Sequence, residues 1–296
     1  MIIVKLMGGI GNQMFQYAAA RRLAHIHDTP LKLDLSWFSS VAATETVRNY
    51  ELDTFAIKKD LAMPEEVEKL KTNNENRVYK LGRRFVNAIA PFYQETFVRE
   101  KYYHFDPDIL KLSSNVYLEG YWHSEKYFKD IEKIIRKEFK VGIEPGEMNR
   151  QLAEAIDNTE SVSIHVRRGD YVSNPITSQF HGTCTLDYYR EAVGKITSQA
   201  QHAHFFVFSD DPAWVKENLG LVHPATYLDF NGPDKAYEDL RLMSLCKHHI
   251  IANSSFSWWG AWLGTNHKKI VFAPKRWFNN TKINTMDLLP DSWVKI

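Results

Sequence analysis

His165, Arg167, Arg168 and Asp170, crowded into one short stretch, carry the strongest chemical signal in this chain of 296 residues. Arginine's planar fork takes two phosphate oxygens at once and stays charged at any working pH, so the pair points to a phosphate-bearing ligand. Val162, Ile164 and Val166 alternate with polar residues as a buried strand does, and Gly169 opens a turn after them. Polar groups delivered at the C-terminal end of a strand lie where open α/β sheets hold ligands. An exposed Arg-Arg-Asp turn bridged to nearby carboxylates would show the same spacing with no chemistry attached.

Three further stretches keep it company. Ser209, Asp210 and Asp211 end a strand ahead of a helix start at Pro212. The carboxylates suit ribose hydroxyls or a guanine edge, or one of them only caps the helix. Asn253, Ser254, Ser255 and Phe256 end another strand, and hydroxyls with free amides at a helix start would cradle phosphate. Capping by Ser254 or Ser255 is the plainer reading. At the N-terminus, Gly8-Gly9-Ile10-Gly11-Asn12-Gln13 forms a tight turn between a strand and a helix, so Gly9, Gly11 and Asn12 can face an anion or a sugar hydroxyl. This is not the dinucleotide fingerprint, because Met14 stands where the third glycine belongs, and no Gly-Lys-Ser/Thr makes it a P-loop. An NAD(P) oxidoreductase is disfavoured accordingly. His181 with Cys184, and Cys246 with His248 and His249, are zinc half-sites with nothing to complete them, and Asp210-Asp211 is not an Asp-x-Asp clamp, so no metal is expected.

The elements that must position these residues follow from periodicity. Strands read at 2–7, Leu31–Leu35 and Asn115–Gly120, with helices from Met14 to His27, near Pro64 to Lys71, near Val78 to Ala90 and from Ser124 to Phe139. The irregular stretch from Ser36 to Tyr103 reads as an acceptor-facing surface, and Pro145-Gly146 as a linker. Beyond it, strands at Val162–Arg167, His204–Ser209, Thr226–Asp229, His249–Ala252 and Lys269–Ala273 alternate with helices near Leu186–Thr197, Pro212–Asn218, Lys235–Lys247 and Phe256–Leu263. That alternation implies a mostly parallel sheet covered on both faces. Trp258, Trp259 and Trp262 share a helical stripe and read as packing. The expected architecture is two α/β domains, 1–145 and 146–296, facing a central cleft.

Composition narrows the function. Lys plus Arg is 37 and Asp plus Glu 36, so no net field steers nucleic acid or an acidic membrane surface. Two cysteines are too few for a disulfide scaffold and suit a reducing compartment. No run of about 18 apolar residues is present, and the chain enters a strand at once without a signal peptide's flanks. A cytoplasmic protein is expected, with peripheral attachment to the inner membrane left open. Eight Trp and fourteen Tyr would serve sugar or base stacking, or simply large cores.

The block from Gly8 through Asn12 and Gln13 to Ala18 resembles the opening motif of the α-1,2-fucosyltransferases of glycosyltransferase family 11. His165-Val166-Arg167-Arg168-Gly169-Asp170-Tyr171 is similar to that family's donor motif. His181-Gly182 with Leu186-Asp187-Tyr188-Tyr189, Phe208-Ser209-Asp210-Asp211 and Asn253 to Trp259 are similar to its later blocks, in the same order. The stretch from Ser36 to Tyr103 matches least. The resemblance implies a GT-B-like fold of two Rossmann-like domains, the second binding GDP-β-L-fucose. It also implies metal-independent inverting transfer to the 2-hydroxyl of a terminal galactose, on O-antigen or other glycan units. On that analogy Arg167 clamps the β-phosphate, and Asp170 or His165 stands by position for the general base, which stays unassigned. A similar Gly-x-x-Gly-Asn-Gln loop in protein O-fucosyltransferases puts Asn12 near the reacting centre. A different GDP-sugar transferase, or a nucleotide- or glycan-binding protein without turnover, would keep the same blocks.

Overall fold

Two all-parallel sheets organise the chain. The computed structural model describes residues 1–40, 47–72 and 95–296. The chain divides into two units, Met1–Lys140 with Asn284–Leu288, and Val141–Ile283 with Leu289–Ile296.

In the first unit β1 (Ile2–Lys5), β2 (Leu31–Asp34), β3 (Phe97–Arg99) and β4 (Val116–Glu119) lie in the order β2-β1-β4-β3. The chain winds from β1 to β2 on one side and places β4 on the other, so the sheet's switch point falls between β1 and β4. Ile2, Ile3 and Val4 and their neighbours Val116, Tyr117 and Leu118 are fully buried. Continuous apolar runs of this kind are what a parallel sheet covered on both faces requires. The helix that follows β1 begins at Ile10 rather than Met14 and runs to Ile26, with Gly9 as its N-cap. Gly11 and Asn12 therefore belong to its first turn.

Three expectations for this unit are corrected. Ser124–Phe139 is not one helix: single 3-10 turns at Glu125–Tyr127 and Lys129–Ile131 precede an α-helix over Glu132–Glu138. Tertiary bonds override the helical pattern there, because Ser124 Oγ donates to the Asp287 carbonyl at 2.6 Å and Tyr127 OH accepts from the Asp106 amide at 2.9 Å. A single boundary at residue 145 also fails. Asp287 accepts from the Phe105 amide and the Lys126 ammonium at 3.1 and 2.6 Å, which binds 284–288 to the first unit. Strand β3, inside the stretch read as irregular, pairs with β4. The helix expected near Val78 to Ala90 lies outside the described residues.

The second unit carries β5 (Glu160–Val166), β6 (Ala203–Ser209), β7 (Ala225–Tyr227), β8 (His248–Ile250), β9 (Val271–Ala273) and β10 (Val294–Lys295) in the order β10-β9-β8-β5-β6-β7. Its switch point lies between β5 and β8. Val162, Ile164 and Val166 join one core with Phe205, Val207 and Ile250, as expected. The alternate residues Ser161, Ser163 and His165 are buried too, because β5 is the central strand and has no wet face. Ser163 Oγ meets this need by bonding His249 Nδ1 at 2.8 Å. Trp258, Trp259 and Trp262, on the helix Ser255–Leu263, are buried packing. Pro145-Gly146 is a helix start rather than a linker, with Gly146 the N-cap of Glu147–Asp157. The turn expected at Gly169 is instead a short helix, Gly169–Ser173, followed by another at Pro175–His181.

Candidate active site

At the C-terminal end of β5 the chain leaves the sheet directly into Arg167 and Arg168. Arg167 Nη2 donates to Asp170 Oδ1 at 2.6 Å, and Nη1 pairs with Asp210 Oδ2 at 3.0 Å. Its side chain is 19% exposed, so two carboxylates aim it while one face stays accessible. Burial works against the charge, but Asp210 and Asp170 outweigh it and the guanidinium pKa is raised. Arg168 is held differently. Its Nε bonds Asp211 Oδ2 at 3.1 Å and its guanidinium lies 3.6 Å from the centre of the Trp214 ring. That clamp ties the β5 exit to the β6 exit.

The acidic pair has structural duties, among them the helix cap that the sequence left open for one of the two. Asp210 Oδ1 accepts from the Arg168 amide at 2.8 Å, and Asp211 caps the helix Pro212–Asn218 by accepting from the Trp214 amide, while Ser209 Oγ accepts from the Asp211 amide at 3.0 Å. Gly169 is required by close approach: a Cβ on it would sit 2.4 Å from Asp210 Oδ2.

His165 is 3% exposed, and its Nδ1 has no partner among the described residues. Burial, reinforced by Arg167, lowers its pKa to about 3. A neutral imidazole this reluctant to take a proton is a poor general base at neutral pH but a good neutral hydrogen-bonding group. Phe256 packs beside it, with ring centres 5.4 Å apart. Across the switch point Ser254 caps the helix Ser255–Leu263 by accepting from the Phe256 amide at 3.3 Å, leaving Ser255 as its first residue.

Asn253, expected as a donor contact, has structural bonds of its own. Its Nδ2 donates to the carbonyls of His181, Gly182 and Trp277 at 3.1 to 3.2 Å, and Oδ1 accepts from Cys184 Sγ. It is a buried clamp that fixes the segment after Pro175–His181 beside β8. That segment returns to the site through His181, which stacks on Tyr171 at 4.6 Å, while Tyr171 OH donates to the Asn253 carbonyl. Burial lowers the His181 pKa to about 4. Among the described residues, no group of three or more His, Cys, Asp and Glu side chains is gathered as metal ligands would be.

The first unit has its own constellation, at the switch point between β1 and β4. Gly8, with φ of +75°, lets the backbone pass beneath Asn12, whose Nδ2 would meet a Gly8 Cβ at 2.6 Å. Two fully buried glutamines hold the loop. Gln13 Nε2 donates to the carbonyls of Gly8 and Asn49, and Gln16 forms reciprocal bonds with the Met7 amide and carbonyl. Gly9 caps the helix and Gly11 sits beside Asn12 in its first turn. Asn12 Oδ1 faces His123 Nε2 at 3.1 Å. Opposite, the Glu100 carboxylate accepts from the amides of Tyr121 and Trp122 at 2.7 and 2.9 Å, and burial raises its pKa to about 6 against those bonds. Trp122 sits at φ of +57° with its indole N–H unpartnered among the described residues, and strain of this kind concentrates at functional sites. His123 lies in the loop between β4 and Glu125–Tyr127. The signal that it matters is its position at the exit of the strand beside the glycine turn.

The chain is 33% identical over 304 residues to an Escherichia coli α-1,2-colitosyltransferase, covering 100% of this chain and 98% of that one. It is 34% identical over 302 residues to the E. coli O-antigen biosynthesis glycosyltransferase WbnK, covering 98% and 99%. A mutant of Arabidopsis thaliana FUT1, solved in complex with GDP, has a similar fold at a TM-score of 0.52 and 11% identity, covering 98% of this chain and 74% of that one. The family model described as glycosyl transferase family 11 matches residues 1–296, and the chain belongs to that family.

Proposed function

We propose that the protein transfers L-fucose from GDP-β-L-fucose, with inversion and without a metal ion, to the 2-hydroxyl of a terminal β-galactose in O-antigen or surface-glycan assembly in the cytoplasm. The observation that carries this reading is Arg167, a half-buried guanidinium aimed by Asp170 and Asp210 at the exit of the central strand, beside the switch point. Breaking the bond between the sugar and the diphosphate builds negative charge on the departing GDP. A preorganised cation meets that charge most strongly in the transition state. The N-terminus of Ser255–Leu263 adds partial positive charge on the adjacent strand. His165, neutral and with an orphaned nitrogen, offers a hydrogen bond to a donor hydroxyl or phosphate oxygen.

Fucose is supported by the run of blocks shared with α-1,2-fucosyltransferases. Colitose is the second reading, favoured by the 33% identical colitosyltransferase. The two sugars differ by one hydroxyl, which a site built to bond it discriminates strongly. A transfer assay in EDTA with each activated sugar, beside binding of GDP, UDP and ADP, tests the reading. Selective GDP binding and fucosyl transfer are expected, with turnover falling about 10²–10³-fold for Arg167→Ala and only partly restored by Arg167→Lys. Transfer that requires a divalent ion, or preference for another nucleotide, would overturn it.

A further inference from the structure

We infer that Tyr171 is a positioning residue for Arg167: its ring, stacked on His181, sets the plane in which the guanidinium meets the donor's diphosphate. The role rests on the reading of Arg167 given above, and the residues that fill it all lie in the second unit.

A guanidinium carries five N–H groups in one plane. Arg167 commits two of them, since Nη2 donates to Asp170 Oδ1 at 2.6 Å and Nη1 pairs with Asp210 Oδ2 at 3.0 Å. The rest of the fork is left for a ligand. Two carboxylates fix two nitrogens along one edge, yet the plane can still tilt about the line that joins them. Tyr171 supplies the third constraint, because Arg167 Cζ lies over its ring, 5.3 Å from the centre and within cation–π range.

The ring is itself held in place. Tyr171 is buried, its hydroxyl donates to the Asn253 carbonyl at 3.2 Å, and the His181 imidazole lies parallel to it, with 4.6 Å between centres and 11° between planes. Phe180 and Phe278 pack against that imidazole at 4.9 and 5.4 Å and against each other at 5.0 Å. Asn253 ties down the same turn through the carbonyls of His181, Gly182 and Trp277. A tilt of the guanidinium would carry its remaining N–H groups away from the oxygens they must meet, and a misplacement of about 1 Å costs about 10²-fold in rate. The loss should fall on turnover more than on donor binding, because the departing oxygen gains its charge only as the bond to the sugar breaks.

Tyr171→Leu removes the ring, and Tyr171→Phe keeps it without the hydroxyl. Turnover should fall about 10- to 100-fold in the first, with GDP affinity lowered no more than about 10-fold, and stay within about 3-fold of wild type in the second. The Arg167→Lys background separates positioning from packing. An ammonium has no plane to orient, so Tyr171→Leu should cost little further turnover there. His181→Ala, a milder change for the fold, should lose part of the same turnover, and His181→Phe, which restores a flat ring against Tyr171, should regain it. Thermal unfolding checks that each variant folds. If Tyr171→Leu does not, the His181 pair decides, and unchanged turnover in His181→Ala overturns the role. So do equal losses in the two backgrounds, a Tyr171→Phe enzyme as slow as Tyr171→Leu, or a Tyr171→Leu enzyme within a few-fold of wild type, while the donor reading stands. A wild-type protein that binds no GDP, or an Arg167→Ala variant with normal turnover, would instead remove the reading beneath it.

Discussion

Replacing Gly169 by alanine adds one methyl group and should damage the donor site without unfolding the protein. The backbone tolerates the change, since Gly169 begins a helix and only Gly8, Gly182 and Gly220 among the described glycines have positive φ. Alanine is in fact the better helix former by about 1 kcal/mol. The conflict is with Asp210, whose Oδ2 would lie 2.4 Å from the new Cβ and whose Cγ would lie 3.0 Å from it. The carboxylate must retreat by roughly 1 Å to reach ordinary contact. That same Oδ2 pairs with Arg167 Nη1 at 3.0 Å, so the retreat opens the pair to about 4 Å, beyond hydrogen-bond reach. At an effective dielectric of about 20 the attraction weakens by about 1.4 kcal/mol. Both side chains are mostly buried, so solvent screens this only in part. Arg167 then keeps one of the two carboxylates that aim it, and GDP affinity should fall by up to about 10-fold. Calorimetric titration with GDP reads it, and thermal unfolding reads stability. Gly194→Ala is the control: a Cβ there meets nothing within 4 Å on the helix Leu186–Thr197, so it should stabilise slightly and leave binding alone. In the double variant Gly169→Ala with Asp210→Ala the clash has no target, and the pair should bind no worse than Asp210→Ala by itself. Additive losses, or wild-type affinity in Gly169→Ala, would refute the role given to Asp210.

Asn253 should behave as structure rather than ligand. Asn253→Asp keeps the shape but removes the donors to three carbonyls, and is expected to cost at least 2–4 kcal/mol in denaturant unfolding, whereas a site contact would lower affinity and leave stability intact. Acid should destabilise the fold through its buried histidines. His165, His181 and His249 are held neutral by burial, with pKa values of about 3, about 4 and well below the usual one. Below about pH 6.5 the unfolded chain binds a proton at each that the fold refuses, so stability falls by about 1.4 kcal/mol per pH unit per histidine. Glu100 and Asp239, both raised to about 6 by burial, act in the opposite sense between about pH 6 and 4 and offset part of that loss. His249→Asn, which can keep the bond to Ser163, isolates one histidine. Its stability deficit relative to wild type should shrink by about 1.4 kcal/mol per unit between pH 6 and 5, and parallel profiles would contradict the assignment.

How much of this was legible in the sequence depends on whether the deciding force was local. Strands β1 and β6 announced themselves because burial on both faces leaves an apolar run, β5 because Val162, Ile164 and Val166 alternate along it, and Leu186–Thr197 because Thr185 caps it and its apolar face repeats. Strands β3 and β10, three and two residues long, gave no period to read and exist because neighbouring strands offer them partners. The same division runs through the site. That Arg167, Asp210 and Ser254 would gather at strand ends followed from parallel topology, which places successive exits on one edge. What each side chain does there did not follow, because asparagine and aspartate serve equally well as ligands, caps or clamps. Asn253 and Asp211 became a clamp and a cap once carbonyls and amides from distant segments arrived beside them. His123 was the opposite case, a loop residue with no local signature. Its place opposite Asn12 depends on β1 and β4 pairing across more than a hundred residues of chain, a contact no sequence window contains. Asn12 could be recognised by its motif, but its own amide cannot take a proton. The imidazole that faces it is supplied only by the fold, within one sheet, through the same switch-point rule that gathers the strand ends of the arginine site on the other.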